Sequence, residues 1–240
     1  MHTIVLATQK GGSGKSTLAI GLALAALQAG HNVRLIETDS QGTLSNWQGR
    51  RLYAEPIVEP VYNANEIELR LQSLARSGVT LTIIDTAGGV SAATTAAIRH
   101  ADLCLIPARP SVADIEAAAP TLSTVRAWNK PFAFVLNQTP IRGRRMGDEA
   151  ALDISGVLAQ PFIVIRNDHQ DALSAGLAVS EYAPAGKSAD EIRGLWQWVE
   201  NKLNAGATAD GAQIIPFPAS PDVAPATFVS EPAEPAALVS

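Results

Sequence analysis

The segment Lys10-Gly11-Gly12-Ser13-Gly14-Lys15-Ser16-Thr17 constrains this chain more than any other. A β-rich run, Thr3 to Thr8, precedes it, and helix formers from Ser16 to Ala29 follow. Turn glycines let several backbone N–H groups face phosphate oxygens. The helix start adds positive potential. Lys15 is spaced to reach the β- and γ-phosphates, and Ser16 to offer its hydroxyl to Mg²⁺. Thr17 packs near the phosphate end or caps locally. The Gly-x-Gly-x-x-Gly dinucleotide pattern is absent, so the loop predicts a triphosphate site, with ATP and Mg²⁺ as ligands.

Short apolar runs alternate with longer helical stretches along the chain. Strands are expected at Val33 to Ile36, Leu81 to Ile84, Leu103 to Ile106, Phe132 to Leu136 and Phe162 to Ile165, with a short extra one at Pro56 to Val58. Helices are expected at Leu44 to Tyr53, Glu66 to Ser77, Ala92 to His100, Asp148 to Leu158 and Asp190 to Leu203. Another, Val112 to Trp128, carries Pro120 as a kink. The pattern predicts an α/β fold, a P-loop NTPase with a mainly parallel central β-sheet flanked by helices. Residues 1–203 form that domain. Residues 204–240, rich in Ala and Pro with four acids and no Lys or Arg, read as a flexible acidic tail.

Composition narrows the function classes. A 47% apolar content supports a sizeable core, and a net charge of -5 gives no support to a highly basic nucleic-acid binder. The single cysteine, Cys104, sits in an apolar run, excludes an internal disulfide framework and a multi-cysteine zinc site, and reads as a core residue. No signal peptide precedes the glycine loop and no apolar run spans a bilayer, so the expectation is cytoplasmic with no membrane partner. The tryptophans of Leu195-Trp196-Gln197-Trp198 are expected to pack on the body.

Two acids emerge at predicted strand ends, where α/β sheets place ligands. Asp85 closes Leu81-Thr82-Ile83-Ile84 and is the candidate Mg²⁺ ligand beside Ser16, with Gly88 and Gly89 forming a loop able to rearrange. Asp39 orients water, helps order Mg²⁺, or caps the following helix. Asn137 follows another strand and either forms a turn or contacts the base. Arg142, Arg144, Arg145, Arg166 and Lys187 form a candidate DNA surface or an ordinary solvated face.

Lys10 is dispensable to an ordinary P-loop. With Gly12 it resembles the deviant Walker A box of the ParA/MinD family of partition-type ATPases, most like the small ParA-type members, over about residues 1–203. The resemblance implies that Lys10 reaches the nucleotide of an opposing subunit in an ATP sandwich dimer, and that Gly12 lets the two loops approach. It implies that Asp39 positions attacking water, as the second acid of an Asp-x-Asp-Pro-Gln segment. Asp39 and Gln41 match that segment, whereas Glu37 and Ser40 replace its first acid and its proline. It further implies that Asn137 recognises adenine. The catalytic set is then Lys10, Lys15 and Asp39. The expected function is a Mg²⁺-dependent ATPase and ATP-dependent homodimerising switch, which partitions or positions plasmid, chromosome or other cargo on nucleoid DNA with slow hydrolysis. Its expected partners are a second copy, nonspecific DNA, and a cargo adaptor or a centromere-binding ParB-type activator. The alternative is a nucleotide-dependent adaptor or a maturation or regulatory ATPase without DNA binding.

Overall fold

Apolar runs buried on both faces build the sheet, as expected where helices cover parallel strands from two sides. The computed structural model describes residues 1–89, 91–141 and 158–208. Six strands, β1 His2–Leu6, β2 Val33–Glu37, β3 Ile57–Pro60, β4 Leu81–Asp85, β5 Leu103–Ala108 and β6 Phe132–Leu136, pair in the order β3-β2-β4-β1-β5-β6. Every pairing is parallel. The helices are α1 Lys15–Gln28, α2 Thr43–Arg50, α3 Ala64–Arg76, α4 Ala92–Arg99, α5 Val112–Glu116, α6 Ala119–Ala127, α7 Asp168–Ser174, α8 Val179–Tyr182 and α9 Lys187–Thr208.

The pleat sorts alternate side chains into two cores. Ile4, Leu6, Leu35, Ile83 and Leu105 pack with α1, Trp47 and Trp196 on one side. Val5, Ile36, Ile84, Cys104, Ile106 and Phe134 pack with Ile67, Leu71 and Ile98 on the other. Helix α1 carries Leu, Ile and Ala around most of its circumference because it lies between the sheet and α9. Trp196 is buried and Trp198 packs partly buried against the same core, so both tryptophans belong to the body. Full burial pushes the Cys104 thiol up to about 12, and it is an inert core group.

Register decides where the site forms. Leu6 and Glu37 both lie level with Asp85, and Ala108 lies level with Leu136. The segments following β1, β2, β4, β5 and β6 therefore leave the same edge of the sheet. The order reverses around β1, the place where open α/β sheets hold ligands.

Three expectations change. The predicted helix Val112 to Trp128 is two helices, because Pro120 has no N–H and is tolerated only in the first turn of a new one. Phe162 to Ile165 forms no continuous strand; Ile163 and Ile165 hydrogen-bond to Leu136 and Thr139, and one bridge joins Val164 with Thr139. Its partner strand has already turned away at Gln138, where φ is 56°. Helices α7 and α8, short and without a strong apolar stripe, fall where the sequence assigned no element. Helix α9 runs to Thr208, past the expected boundary at 203. The helix expected at Asp148 to Leu158 lies outside the described residues except for Leu158, which bridges to Phe134. The residues beyond Thr208, which hold most of the expected tail, also lie outside them.

Candidate nucleotide site

The phosphate loop joins β1 to α1. Gly14 is the residue before the helix and has φ 88°, and a Cβ there would collide with the Asn137 amide, so only glycine fits. Ser13 and Lys15 are buried, whereas Gly11 and Gly12 are exposed at the crest. Ser16 and Thr17 occupy the first turn of α1, beside its unpaired N–H groups. Burial lowers the Lys15 ammonium below its ordinary range, against the pull of Asp85 and Asp39.

Asp85 ends β4 with 1% exposure, and among the described residues neither of its carboxylate oxygens has a hydrogen bond of ordinary geometry. Burial pushes this carboxyl up to about 7; the Ser16 hydroxyl and Lys15 oppose the rise, while Glu37 and Asp39 add to it. An unpaired buried carboxylate beside a serine hydroxyl and a lysine fits a hard cation shared with phosphate oxygens. Ser16 and Asp85 would hold Mg²⁺ here, and the rest of its shell would be phosphate and water. The Ser13 hydroxyl is a further buried polar atom without a hydrogen-bond partner among the described residues. Thr38 donates both N–H and hydroxyl to the Asp85 carbonyl, at 3.0 and 3.2 Å, tying the β2 end to the β4 end. Gly88 carries the following loop close to the phosphate loop: a Cβ there would stand 3.4 Å from the Gln9 carbonyl oxygen.

The acids after β2 divide their work. Glu37 is fully buried and accepts from Leu44 N–H at 2.6 Å, from Ser45 N–H at 3.2 Å and from the Ser45 hydroxyl. It is therefore the acid at the N-terminus of α2, where the helix dipole favours it. Asp39 does not cap that helix. Its Oδ1 accepts Gln41 N–H at 3.0 Å within a turn, it is half-buried, and its charge acts on Lys15.

Lys10 departs from the rest of the loop. Its Nζ lies 2.7 Å from Asp114 Oδ2 on α5. Burial works against the Asp114 charge, yet hydrogen bonds from Lys10 and the Ser111 hydroxyl prevail and hold the carboxyl below its usual range. Asp114, which the sequence reading missed, also sits at the start of α5, where Ser111 caps its N–H.

The structure brings Asn137 to the loop as well. It is buried, donates from Nδ2 to the Ser13 carbonyl at 2.7 Å and accepts Gln138 N–H at 2.9 Å. One amide hydrogen stays available to a base. Gln138 and Arg109, also missed, both donate to the Gly12 carbonyl. No spacing signal marks them, because their targets are backbone oxygens far away in sequence.

Two of the candidate DNA cations lie among the described residues. Arg166 is tied to Glu191, at 2.8 Å to each carboxylate oxygen, and Glu191 also accepts Val164 N–H, so Arg166 is a bracing residue rather than a free cation. Lys187 is exposed at the first residue of α9. Arg142, Arg144 and Arg145 lie outside the described residues. Among the described residues no helix is long and apolar enough to cross a membrane.

A parallel sheet with a lysine-serine glycine loop after β1 and a buried acid at the end of β4 defines a P-loop nucleoside-triphosphate-binding protein. The chain belongs to the CobQ/CobB/MinD/ParA nucleotide-binding domain family, whose model matches residues 4–178. Its fold is that of the P-loop McdA and MinD proteins of that family. One relative, the maintenance of carboxysome distribution protein A of Halothiobacillus neapolitanus, is 28% identical over 200 residues, covering 79% of this chain and 92% of that protein. The virC1 protein of Rhizobium radiobacter is 32% identical over 132 residues, 52% of this chain and 55% of that one. Among solved structures, an ATP complex of a Cyanothece McdA variant has a TM-score of 0.68 at 18% identity, covering 85% of this chain and 96% of its own. The MinD of Pyrococcus horikoshii with Mg-ADP has a TM-score of 0.67 at 16% identity, covering 88% and 99%.

Proposed function

We propose that this protein is an ATP-dependent dimerising switch that positions cargo on nucleoid DNA and hydrolyses ATP slowly. The observation that carries this reading is a phosphate-loop lysine, Lys10, committed to an acid outside its own loop, while Lys15 stays with the cradle. A loop with one lysine for its own phosphates has a second to give to another copy.

Within one subunit, the backbone N–H groups of Gly12 to Ser16 and the Lys15 ammonium bind the triphosphate. Ser16 and Asp85 would hold Mg²⁺, which would supply stabilisation of the phosphate charge. Asp39 uses Oδ1 in its turn and offers Oδ2 to orient water for in-line attack. Asn137 uses its remaining amide hydrogen on adenine. Lys10 of each subunit reaches the other's phosphates, and loss of the γ-phosphate weakens the pair. DNA binding by Arg142, Arg144, Arg145 and Lys187 is nonspecific and salt-dependent. The cargo is a plasmid, a chromosome or an intracellular body. Two relatives matched over 92% and 94% of their own length are named for carboxysome distribution, which favours a body carried through an adaptor. A ParB-type activator is the partner on the plasmid reading.

A second reading is a nucleotide-dependent protein adaptor or regulatory ATPase that leaves DNA alone. The engagement of Arg166 with Glu191 favours it, since one of the candidate cations is committed elsewhere. DNA co-sedimentation with ATP, ADP or no nucleotide, repeated for Lys15→Ala and Arg144→Ala, separates the two. The switch predicts ATP-dependent pelleting that salt and either substitution weaken. Equal binding in every nucleotide state rejects the switch, and absence of DNA binding beside ATP-dependent dimerisation selects the adaptor.

A further inference from the structure

The Gly12 carbonyl oxygen accepts two side-chain donors from different strand ends. Gln138 Nε2 reaches it at 2.8 Å from just past β6, and Arg109 Nη2 at 3.3 Å from just past β5. The next carbonyl, that of Ser13, accepts Asn137 Nδ2 at 2.7 Å. Across a trans peptide, the C=O of one residue and the N–H of the next point in opposite directions. Holding the Gly12 and Ser13 oxygens toward the β5 and β6 ends therefore turns the Ser13 and Gly14 N–H groups away from those ends. Among the described residues neither N–H meets a protein acceptor. Both are thus free to donate to phosphate, in a loop whose remaining donors face the same task.

Gln138 adopts φ 56°, the left-handed region that a non-glycine residue enters only at a steric cost. Glycine or asparagine would suit that backbone better. Glutamine supplies what glycine lacks, a side-chain donor long enough to reach Gly12.

We propose that Gln138 and Arg109 are positioning residues for the triphosphate, clasping the Gly12–Ser13 peptide so that its N–H is aimed before the ligand arrives. The proposal rests on the ATP-binding reading above. It assigns both residues to the phosphates through the backbone and not to the base. It also explains why an exposed arginine stands at the crest of the loop without a carboxylate hydrogen-bonded to it in the described residues.

Calorimetric titration of the full chain with Mg²⁺-ATP and with Mg²⁺-tripolyphosphate tests it, for wild type, Gln138→Gly and Arg109→Ala. The glycine variant removes the donor and relieves the backbone together, so its fold is not at risk, and an unchanged melting temperature without nucleotide checks this. Gln138→Gly is expected to weaken ATP and tripolyphosphate by the same factor, on the order of 10-fold, and Arg109→Ala by less through its longer bond. In turnover the loss falls on KM, with kcat kept. Unchanged ATP affinity overturns the proposal, and so does an ATP loss that spares tripolyphosphate, which would mark a base contact. Wild type that fails to bind ATP defeats the parent reading instead. Wild type that binds beside an unaffected Gln138→Gly defeats this proposal alone.

Discussion

Replacing Asp85 with asparagine removes a buried charge while keeping the side chain's shape. With 1% exposure, this carboxyl stands at about 7 instead of its ordinary 3.8. At about 1.4 kcal/mol per pH unit, keeping it ionised in the nucleotide-free fold costs about 4 kcal/mol, an upper bound because the asparagine amide must also be buried. The sign follows from proton binding. The folded state holds this proton more tightly than the unfolded chain, so the group's contribution is fully present below about pH 4 and is lost as pH rises through about 7. Asp85→Asn carries no such loss. Urea unfolding in EDTA is therefore expected to show the variant more stable than wild type by about 2–4 kcal/mol at about pH 8, with the gap narrowing by about 2–3 kcal/mol by about pH 5 and levelling off below about pH 4. Burial lowers His100 and His169, which pull stability the opposite way near neutrality, but both curves share them and the difference cancels their effect. Adding Mg²⁺-ATP should reverse the order, since wild type gains binding energy that the variant cannot match. A stability difference that stays flat across this pH range would show that Asp85 is not the titrating group, and the metal assignment would lose its physical basis.

Lys15→Ala should weaken ATP binding on the order of 100-fold, since it removes the charged donor of the cradle; calorimetry that finds wild-type affinity rejects the site. Asp114→Asn releases Lys10 from its 2.7 Å partner while keeping a cap-sized side chain, and should lower the ATP-dependent dimerisation midpoint in light scattering by about 5-fold. An unmoved midpoint means that the ion pair does not restrain the lysine. Arg51→Met should destabilise by about 3 kcal/mol in urea, because Glu181, bonded twice at 2.7 Å, is left charged and partly buried; a loss below about 1 kcal/mol contradicts that account.

Much of the sheet was legible because parallel strands buried on both faces must be short and continuously apolar, and Leu81 to Ile84 or Phe132 to Leu136 admit little else. The phosphate loop was legible because its chemistry is local: glycines, Lys15 and Ser16 work at fixed spacing. What escaped depends on distant partners. Glu37 reads as a substituted site acid, yet its carboxylate is committed to the amides of Leu44 and Ser45. Arg166 reads as a DNA cation until Glu191 on α9 comes within 2.8 Å. Helices α7 and α8 lack the apolar periodicity that marks α3, so their helicity depends on packing against their neighbours and not on pattern.

Lys10 joins the readable part of the site to the unreadable part. Its spacing from Lys15 can be counted in the sequence, but its partner on α5 can be found only in the fold. Departure of Lys10 leaves Asp114 buried, with Ser111 as its hydrogen-bond donor and one oxygen already lacking any. Burial would then raise that carboxyl, and the nearby positive charge of Arg109 only partly replaces what was lost. Leaving is therefore unfavourable unless a stronger anion waits across the interface. On the switch proposed above, a partner's triphosphate would offer more negative charge than its diphosphate, so the ion pair that restrains Lys10 in the single subunit would make dimerisation depend on the γ-phosphate. A lysine without a buried partner would have no such threshold, and would respond to ATP and ADP more nearly alike.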